Sequence, residues 1–159
     1  MVSDELIKKF SNIVRVRVMG LWKKDNKILL INHKNLNNEN ELWLPPGGGV
    51  EFDMSIMESL RKEYLEETGL TVTVGQFLYV NEFKSESFHA IELFFEIDKV
   101  LGEMHLGKDP EMGKNQILQS LEFMSMKEIK SRGKERIHGI FNKVNSIDEL
   151  FVKRGFLNL

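Results

Sequence analysis

A run of glycines followed by a carboxylate-rich helix constrains this chain more than any other feature of its sequence. Gly47–Gly49 follow two prolines, and backbone without a Cβ can come close to a phosphate or a cation, so we expect a glycine loop here. Behind this loop, Ser55 and Glu58 have the spacing of a capping box, which predicts the start of a helix. Gly69 can take the left-handed conformation that ends a helix, so the helix is predicted over Ile56–Thr68.

Three carboxylates lie on one face of this predicted helix. Glu63, Glu66 and Glu67 stand at positions i, i+3 and i+4, which are neighbours on a helix surface. Their arc adjoins the apolar arc, and Glu67 falls within its edge, so we expect them to be partly sheltered from water. Sheltered like charges repel each other unless a cation or protons neutralise them. Carboxylate oxygens beside phosphates suit Mg²⁺ or Mn²⁺, and the sequence therefore predicts one of these ions as the cofactor.

The alternative is that this acidic face is merely solvated, as charged helix faces usually are. The glycines in front of it favour a functional interpretation, because they are part of a longer pattern. From Gly48 to Leu70 the chain resembles the Nudix box, in which a glycine and a glutamate precede the group Arg-Glu-apolar-x-Glu-Glu-x-Gly-apolar. The upstream Trp43 and Pro46 are also similar to the family. The positions on register with the box are Gly48, Glu63, Tyr64, Glu66, Glu67, Gly69 and Leu70.

Two positions depart from the Nudix pattern. The family's first glutamate is Met54 here and its arginine is Lys62. In the family these two side chains typically interact and brace the loop against the helix. A thioether accepts hydrogen bonds poorly and Lys lacks the planar fork of Arg, so we expect the brace to be lost. Glu51 and Asp53 are close enough in sequence to pair with Lys62 instead.

The resemblance implies a fold, an activity and a set of site residues. The fold belongs to the α/β class and is an α/β/α sandwich around a mixed β-sheet. The activity is metal-dependent hydrolysis of the diphosphate linkage in a small nucleoside diphosphate derivative, with Glu63 as the catalytic base. The implied metal ligands are Glu63, Glu66, Glu67 and the carbonyl of Gly47. The implied substrate or phosphate loop consists of Gly48, Gly49 and Glu51.

Several alternatives stay open from the sequence. A nucleotide or nucleotide-sugar sensor could keep the fold and the metal site while it loses turnover together with the brace at Met54 and Lys62. The loop around Glu111 could supply an extra glutamate to the site, although a solvated acid is the commoner case. The substrate also stays open, because the proline that marks ADP-ribose hydrolases beyond the box is not seen. Prolines occur only at positions 45, 46 and 110.

Composition bounds the class of protein. The chain has 159 residues, which suit one domain, predicted over 1–159. Its net charge of −2 gives no reason to expect binding to a nucleic-acid polymer or a membrane. Cysteine is absent, which excludes disulfides and thiolate sites. The first residues lack the apolar core of a signal peptide, so we expect a cytoplasmic protein, and the sequence leaves a homodimer open.

The remaining pattern predicts strands on both sides of the central helix, which also favours the α/β/α sandwich. Asp25 and Asn26 predict a turn between the first two strands. The predicted strands are 13–21, 27–32, 70–82, 87–97 and 117–124. The predicted short helices are 126–131 and 136–144, and 3–11 is predicted as a short amphipathic helix or an arm.

Histidines and aromatic residues give weaker signals. The four histidines show no pairwise spacing of metal ligands on one element, and His89 is the best candidate for a neighbour of the site. Phe83 and Phe88 could stack on a nucleobase, although aromatic residues in strands usually fill cores. The basic stretch from Lys127 to Lys143 is interpreted as a solvated surface.

Overall fold

Two β-sheets and one long helix form most of the structure. The computed structural model describes residues 4–108, 110 and 116–158. The helices are α1 (Asp4–Phe10), α2 (Ile56–Thr68), α3 (Met126–Ser131) and α4 (Glu149–Val152), and two 3₁₀ turns cover Lys134–Arg136 and Gly139–Lys143. The strands are β1 (Val14–Leu21), β2 (Lys23–Lys24), β3 (Lys27–His33), β4 (Leu42–Leu44), β5 (Gly47–Gly49), β6 (Thr71–Lys84), β7 (His89–Leu101), β8 (Leu118–Met124) and β9 (Gly155–Asn158).

The larger sheet is mixed and has five strands in the order β5-β1-β7-β6-β9. Strand β1 runs parallel to β7, and β6 runs parallel to β9, while the other neighbours are antiparallel. The smaller sheet joins β2, β3 and β4, and β8 pairs with β3. Side chains at register positions of adjacent strands share a face of the sheet. The long pairing of β1 with β7 therefore places Arg17 and Glu92 on the same face.

Helix α2 covers one face of the larger sheet. The capping box of Ser55 and Glu58 is present, and Gly69 ends the helix with a φ of 72°, as the sequence predicts. Tyr64 lies on the side of α2 that faces the sheet and is fully buried. Its hydroxyl donates a hydrogen bond of 2.7 Å to the carbonyl oxygen of Gly20 in β1. The other buried members of this cluster are Val18, Leu29, Leu60, Leu70, Val72, Phe95 and Ile97.

The opposite face of the larger sheet carries the main core. The smaller sheet, α3 and the segments that follow α3 pack here against side chains of β1, β6 and β7. The largest fully buried side chains of this core are Met19, Trp43, Tyr79, Phe94 and Phe141. Helical layers thus cover both faces of a mixed sheet, and the predicted α/β/α sandwich is confirmed.

Helix α1 packs beside β3. Its Leu6 is buried with Ile117 and Leu118, and Phe10 packs against the same cluster. The short amphipathic helix predicted at this end of the chain is therefore confirmed.

Two local predictions have different outcomes. The turn predicted at Asp25 and Asn26 is confirmed, since these residues join β2 to β3 with φ values of 50° and 55°. The helix predicted over 136–144 is instead the 3₁₀ turn Gly139–Lys143, which is short because His138 caps it and Val144 returns to extended backbone. Within the described ranges, no helix is both long and apolar enough to cross a membrane.

Tyr64→Phe tests the hydrogen bond that joins α2 to β1. Loss of the hydroxyl removes a buried partner of the Gly20 carbonyl, and we expect the free energy of unfolding to fall by about 1 to 2 kcal/mol. Tyr79→Phe is the matched control, because the Tyr79 hydroxyl is buried without a hydrogen-bond partner among the described residues. Urea denaturation measures both variants, and equal losses in the two would contradict this role of Tyr64.

Candidate active site

The three glycines form strand β5, which brings backbone against β1 and against α2. Gly47 has a φ of +151°, and a Cβ there would lie 2.1 Å from the carbonyl oxygen of Val18. A Cβ on Gly48 would lie 2.2 Å from Oε1 of Glu63. Both separations are far shorter than a van der Waals contact. The first is to backbone, so position 47 requires glycine, whereas a Cβ at position 48 would displace the side chain of Glu63. The expected glycine loop is therefore a strand, paired with β1, whose backbone touches a carboxylate of the helix.

Glu67 is a buried carboxylate of α2 that is held from two sides. Its exposed fraction is 4%, and the N–H of Gly47 donates a hydrogen bond of 2.9 Å to its Oε2. Its Oε1 lies 3.8 Å from Nε2 of His33. Nδ1 of His33 lies 3.2 Å from the carbonyl oxygen of Ile31, which can only accept, so Nδ1 carries a proton. The prediction that Glu67 is sheltered is confirmed.

A loop after β7 closes the C-terminal end of α2. The last carbonyls of a helix have no partner within the helix, and here the loop supplies three N–H donors. Gly107 lies so close to the helix that a Cβ there would stand 1.7 Å from the carbonyl oxygen of Glu66. The backbone N–H of His105 donates to the carbonyl oxygen of Thr68 at 3.0 Å. The N–H groups of Gly107 and Lys108 donate in the same way to the carbonyl oxygens of Glu67 at 2.8 Å and Glu66 at 3.2 Å. The loop therefore fixes the backbone of the turn that carries two of the predicted ligands.

Lys62 forms an ion pair with Glu51, at the start of the segment that leads into α2. Its Nζ also lies 3.9 Å from Oε1 of Glu66. The hydrogen bond to Glu51, followed by the nearby carboxylate charges, raises the pKa of Lys62. Lys62 thus pairs with one of the two partners considered from the sequence, and this pair replaces the family's contact between positions 54 and 62. Glu51, three positions before Met54, supplies the carboxylate that Met54 lacks.

A cleft opens between the larger sheet, β5 and α1. One part of its lining consists of Gly47, Gly48, Gly49, Glu63 and Glu67. Apolar and aromatic side chains also line it, among them Leu6, Phe10, Leu36, Phe83, Phe88 and Ile117.

The polar floor of this cleft centres on the buried carboxylate of Glu92. Its Oε2 accepts hydrogen bonds of 2.8 Å from Nδ2 of Asn81 and from Nε2 of His138, and its Oε1 lies 3.5 Å from NH1 of Arg17. Nδ1 of His138 accepts the N–H of Ile140 at 3.2 Å, so Nε2 carries the proton that His138 donates to Glu92. Burial raises the pKa of Glu92, but His138, Arg17 and Asn81 together lower it further, to about 2. Glu92 is thus a carboxylate at neutral pH.

The structure brings five of the residues predicted from the sequence to one cleft wall, and these are the three glycines, Glu63 and Glu67. Glu66 and Glu51 lie beside Lys62 instead, and neither lines the cleft. His89 lines the cleft and pairs with Glu82 at 2.8 Å. Glu111, considered as an additional acid, lies outside the described residues.

The donor set of this wall fits a hard divalent ion. Carboxylate oxygens are the ligands that Mg²⁺ and Mn²⁺ prefer, and Glu63 and Glu67 bring them to the same wall. Within residues 4–108, 110 and 116–158, no three histidine, aspartate or glutamate side chains lie close enough together to hold an ion as they stand. Closing a ligand shell would require these carboxylates to turn from their present contacts with β5.

The family model of the NUDIX domain matches residues 12–143 of this chain. The chain belongs to the Nudix family. The match runs from the start of β1 to the second 3₁₀ turn and includes β5, α2 and the floor of the cleft. The resemblance between Gly48 and Leu70 is therefore confirmed.

Two curated Nudix relatives have names that describe cleavage of a diphosphate linkage. An ADP-ribose pyrophosphatase of Methanocaldococcus jannaschii is 38% identical over 96 residues, which are 59% of this chain and 56% of that protein. A CTP pyrophosphohydrolase of Escherichia coli is 36% identical over 61 residues, which are 38% of this chain and 45% of that protein. This chain thus spans about half the length of each relative.

The fold is shared with solved Nudix structures. A NUDIX hydrolase from Nitrosomonas europaea matches with a TM-score of 0.67 and 18% identity, over 82% of this chain and 85% of that one. At this level of identity the likeness supports the common fold.

The polar floor of this Nudix cleft was not predicted from the Nudix box, because its residues lie outside that motif. A signal was present in β1, where Arg15 and Arg17 alternate with valines and must share the face opposite to them. A second signal was present in β7, where Glu92 interrupts an apolar run. An isolated charge in a strand that is otherwise buried indicates a paired or functional residue.

A double-mutant cycle tests the replacement brace of this Nudix domain. The Lys62–Glu51 pair is partly exposed, so Lys62→Met and Glu51→Gln should each lower the free energy of unfolding modestly, with a coupling of about 0.2 to 1 kcal/mol. Asp53→Asn is the matched control, since Asp53 is an exposed acid two positions further along. Urea denaturation of the unaltered protein, the two single variants and the double variant gives the coupling free energy. Additive effects would contradict the brace, as would an equal coupling between Lys62→Met and Asp53→Asn.

Proposed function

We propose that this chain hydrolyses the diphosphate linkage of a small nucleoside diphosphate derivative. The observation that carries this proposal is the contact between the backbone of Gly48 and the carboxylate of Glu63 at the wall of an open cleft. A diphosphate that lies along β5 meets backbone without side chains and, beside it, two carboxylates of α2. The printed names of the archaeal and bacterial relatives, an ADP-ribose pyrophosphatase and a CTP pyrophosphohydrolase, support the same bond as the target.

The proposed ligands of the Mg²⁺ or Mn²⁺ ion are Glu63, Glu66, Glu67 and the carbonyl of Gly47. Such an ion would supply positive charge that neutralises the phosphoryl oxygens as the reaction proceeds. Glu67 is already oriented toward β5 by the N–H of Gly47. Glu66 lies just outside the cleft wall, on the turn that the loop after β7 holds.

Glu63 is the proposed general base. Its carboxylate lines the cleft directly beside Gly48, where it would accept a proton from the attacking water. The water oxygen forms a bond to phosphorus and the bridging phosphorus–oxygen bond breaks, so two phosphate products leave. Gly48 and Gly49 leave room for the substrate, and Glu51 acts through Lys62 by holding the approach to α2. We thus assign Glu51 a positioning role.

The brace between Lys62 and Glu51 bears on the alternative of a sensor without turnover. That alternative rested on the loss of the contact between Met54 and Lys62. A carboxylate partner for Lys62 removes this argument, and hydrolysis is the function that the arrangement favours.

Glu63→Gln tests the proposed reaction. The change keeps the shape of the side chain and removes its charge, so kcat should fall by about a hundredfold or more. The substrates to screen are nucleotide sugars, dinucleotides and nucleoside triphosphates, with Mg²⁺ or Mn²⁺, and phosphate released by a coupled phosphatase is the measurement. Glu135→Gln is the control, because Glu135 is an exposed acid in the first 3₁₀ turn. Binding without turnover in the unaltered protein would favour the sensor, and full activity of Glu63→Gln would exclude Glu63 as the base.

A further inference from the structure

Two rows of side chains cross the larger sheet beneath the cleft, beyond the glycine strand. Adjacent strands lie about 4.8 Å apart, so each row crosses the sheet in steps of that size, away from the glycine strand. The first row is Gly49, Arg17, Glu92 and Asn81. The second row is Arg15, Ala90 and Phe83.

The first row offers hydrogen-bond donors to the cleft. Both oxygens of Glu92 are engaged, one by Asn81 and His138 and the other by Arg17. Arg17 lines the cleft, and a fifth of its side chain (20%) is exposed. A guanidinium carries five N–H donors, and Glu92 lies beside only one of its terminal nitrogens. A ligand that fills this part of the cleft can therefore present an acceptor to Arg17.

The charge of Arg17 is already compensated. Its guanidinium lies beside the ionised Glu92 carboxylate, so the pair carries no net charge and does not favour a second anion strongly. The guanidinium of the other arginine of this face, Arg15, reaches the glycine strand, since a Cβ on Gly49 would lie 3.0 Å from its Nη2. The arrangement suits a phosphate near Arg15 and a neutral acceptor, such as a carbonyl, near Arg17.

The second row ends in an aromatic side chain on which a flat ring can stack. Ala90 is small and stands in register between Arg15 and Phe83. The guanidinium of Arg15 already covers the ring of Phe10 at 3.7 Å, whereas Phe83 and Phe88 both line the cleft. Aromatic rings are surfaces on which nucleobases stack.

Resting on the proposed function, we propose that Arg17 is a specificity-determining residue that donates hydrogen bonds to the keto edge of a nucleobase. Glu92 and His138 are positioning residues, because His138 orients the carboxylate of Glu92 by a hydrogen bond and Glu92 forms an ion pair with Arg17. A keto oxygen accepts where an amino group donates, so bases with a keto group are favoured over adenine. Good bidentate contacts between arginine and such an edge discriminate by about tenfold or more.

The matched ligands are the α,β-methylene diphosphates of inosine and adenosine, which differ in the keto or amino group and resist hydrolysis. Calorimetry with Mg²⁺ should give at least about tenfold tighter binding of the inosine compound to the unaltered protein. Arg17→Met should bring the ratio of the two affinities close to one. Arg15→Met should weaken both compounds and keep the ratio, and Arg154→Met, remote from the cleft, should change neither.

Methylenediphosphonate has the two phosphonate groups but no base, so it distinguishes a contact of Arg17 with the base from a contact with a phosphate. Arg17→Met should leave its affinity unchanged if Arg17 contacts the base. A large loss for this probe, or an equal loss for both nucleotides, would make Arg17 a phosphate contact and overturn the proposal, as would equal binding of the two nucleotides to the unaltered protein. Should Arg17→Met fail to fold, Arg17→Lys keeps the charge and should still narrow the ratio, and an undiminished ratio would overturn the proposal.

Binding of these analogues does not need turnover, so the experiment can overturn the proposed hydrolysis and the proposed role of Arg17 independently. Base discrimination without hydrolysis would overturn the proposed function and keep the role of Arg17. Hydrolysis without base discrimination would overturn the role of Arg17 alone. Glu92→Gln adds a readout of positioning, because it should lower the ratio of affinities while the affinity for methylenediphosphonate stays constant.

Discussion

The close approach of the β5 backbone to helix α2 is the constraint on which the rest of the site depends. Gly47 donates its N–H to Glu67, and Gly48 leaves the space that the carboxylate of Glu63 occupies. A Cβ at position 47 would clash with the backbone of β1, and one at position 48 would displace the side chain of Glu63. Strand β5 also pairs with β1, so the same three residues join the larger sheet, the helix and the cleft into one arrangement.

Two further contacts hold helix α2 in position against this strand. The Lys62–Glu51 pair ties the segment before α2 to the middle of the helix, and the loop after β7 supplies the missing donors at its end. Exposed ion pairs contribute little to stability, so the value of the first contact lies in orientation. The loop carries more weight, because buried carbonyls without partners are costly. Together they hold both ends of the turn that bears the carboxylates.

The sequence predicted the parts of this site that local spacing determines. The capping box, the end of α2 at Gly69 and the shelter of Glu67 follow from residues within a few positions of each other, and the structure has all three. It did not predict that the glycines form a strand, since that depends on pairing with β1. The contact of Arg17 with Glu92 depends on the register of β1 and β7, which are far apart in the chain. The partner of Lys62 was predicted only as one of two candidates, because the backbone between Glu51 and Lys62 decides it.

Binding of Mn²⁺ to Gly48→Ala tests most directly the claim that the approach of β5 to α2 builds the site. A methyl group there would lie 2.2 Å from Oε1 of Glu63, so the carboxylate or the strand must move. Gly133→Ala serves as the control for a general loss of stability, since Gly133 has a φ of +92° and no atom within 4 Å of an added Cβ. We predict that calorimetry finds Mn²⁺ bound by the unaltered protein and by Gly133→Ala, and bound at least about tenfold more weakly by Gly48→Ala, the scale on which supporting contacts affect metal affinity. Equal Mn²⁺ affinity in all three proteins would contradict the account.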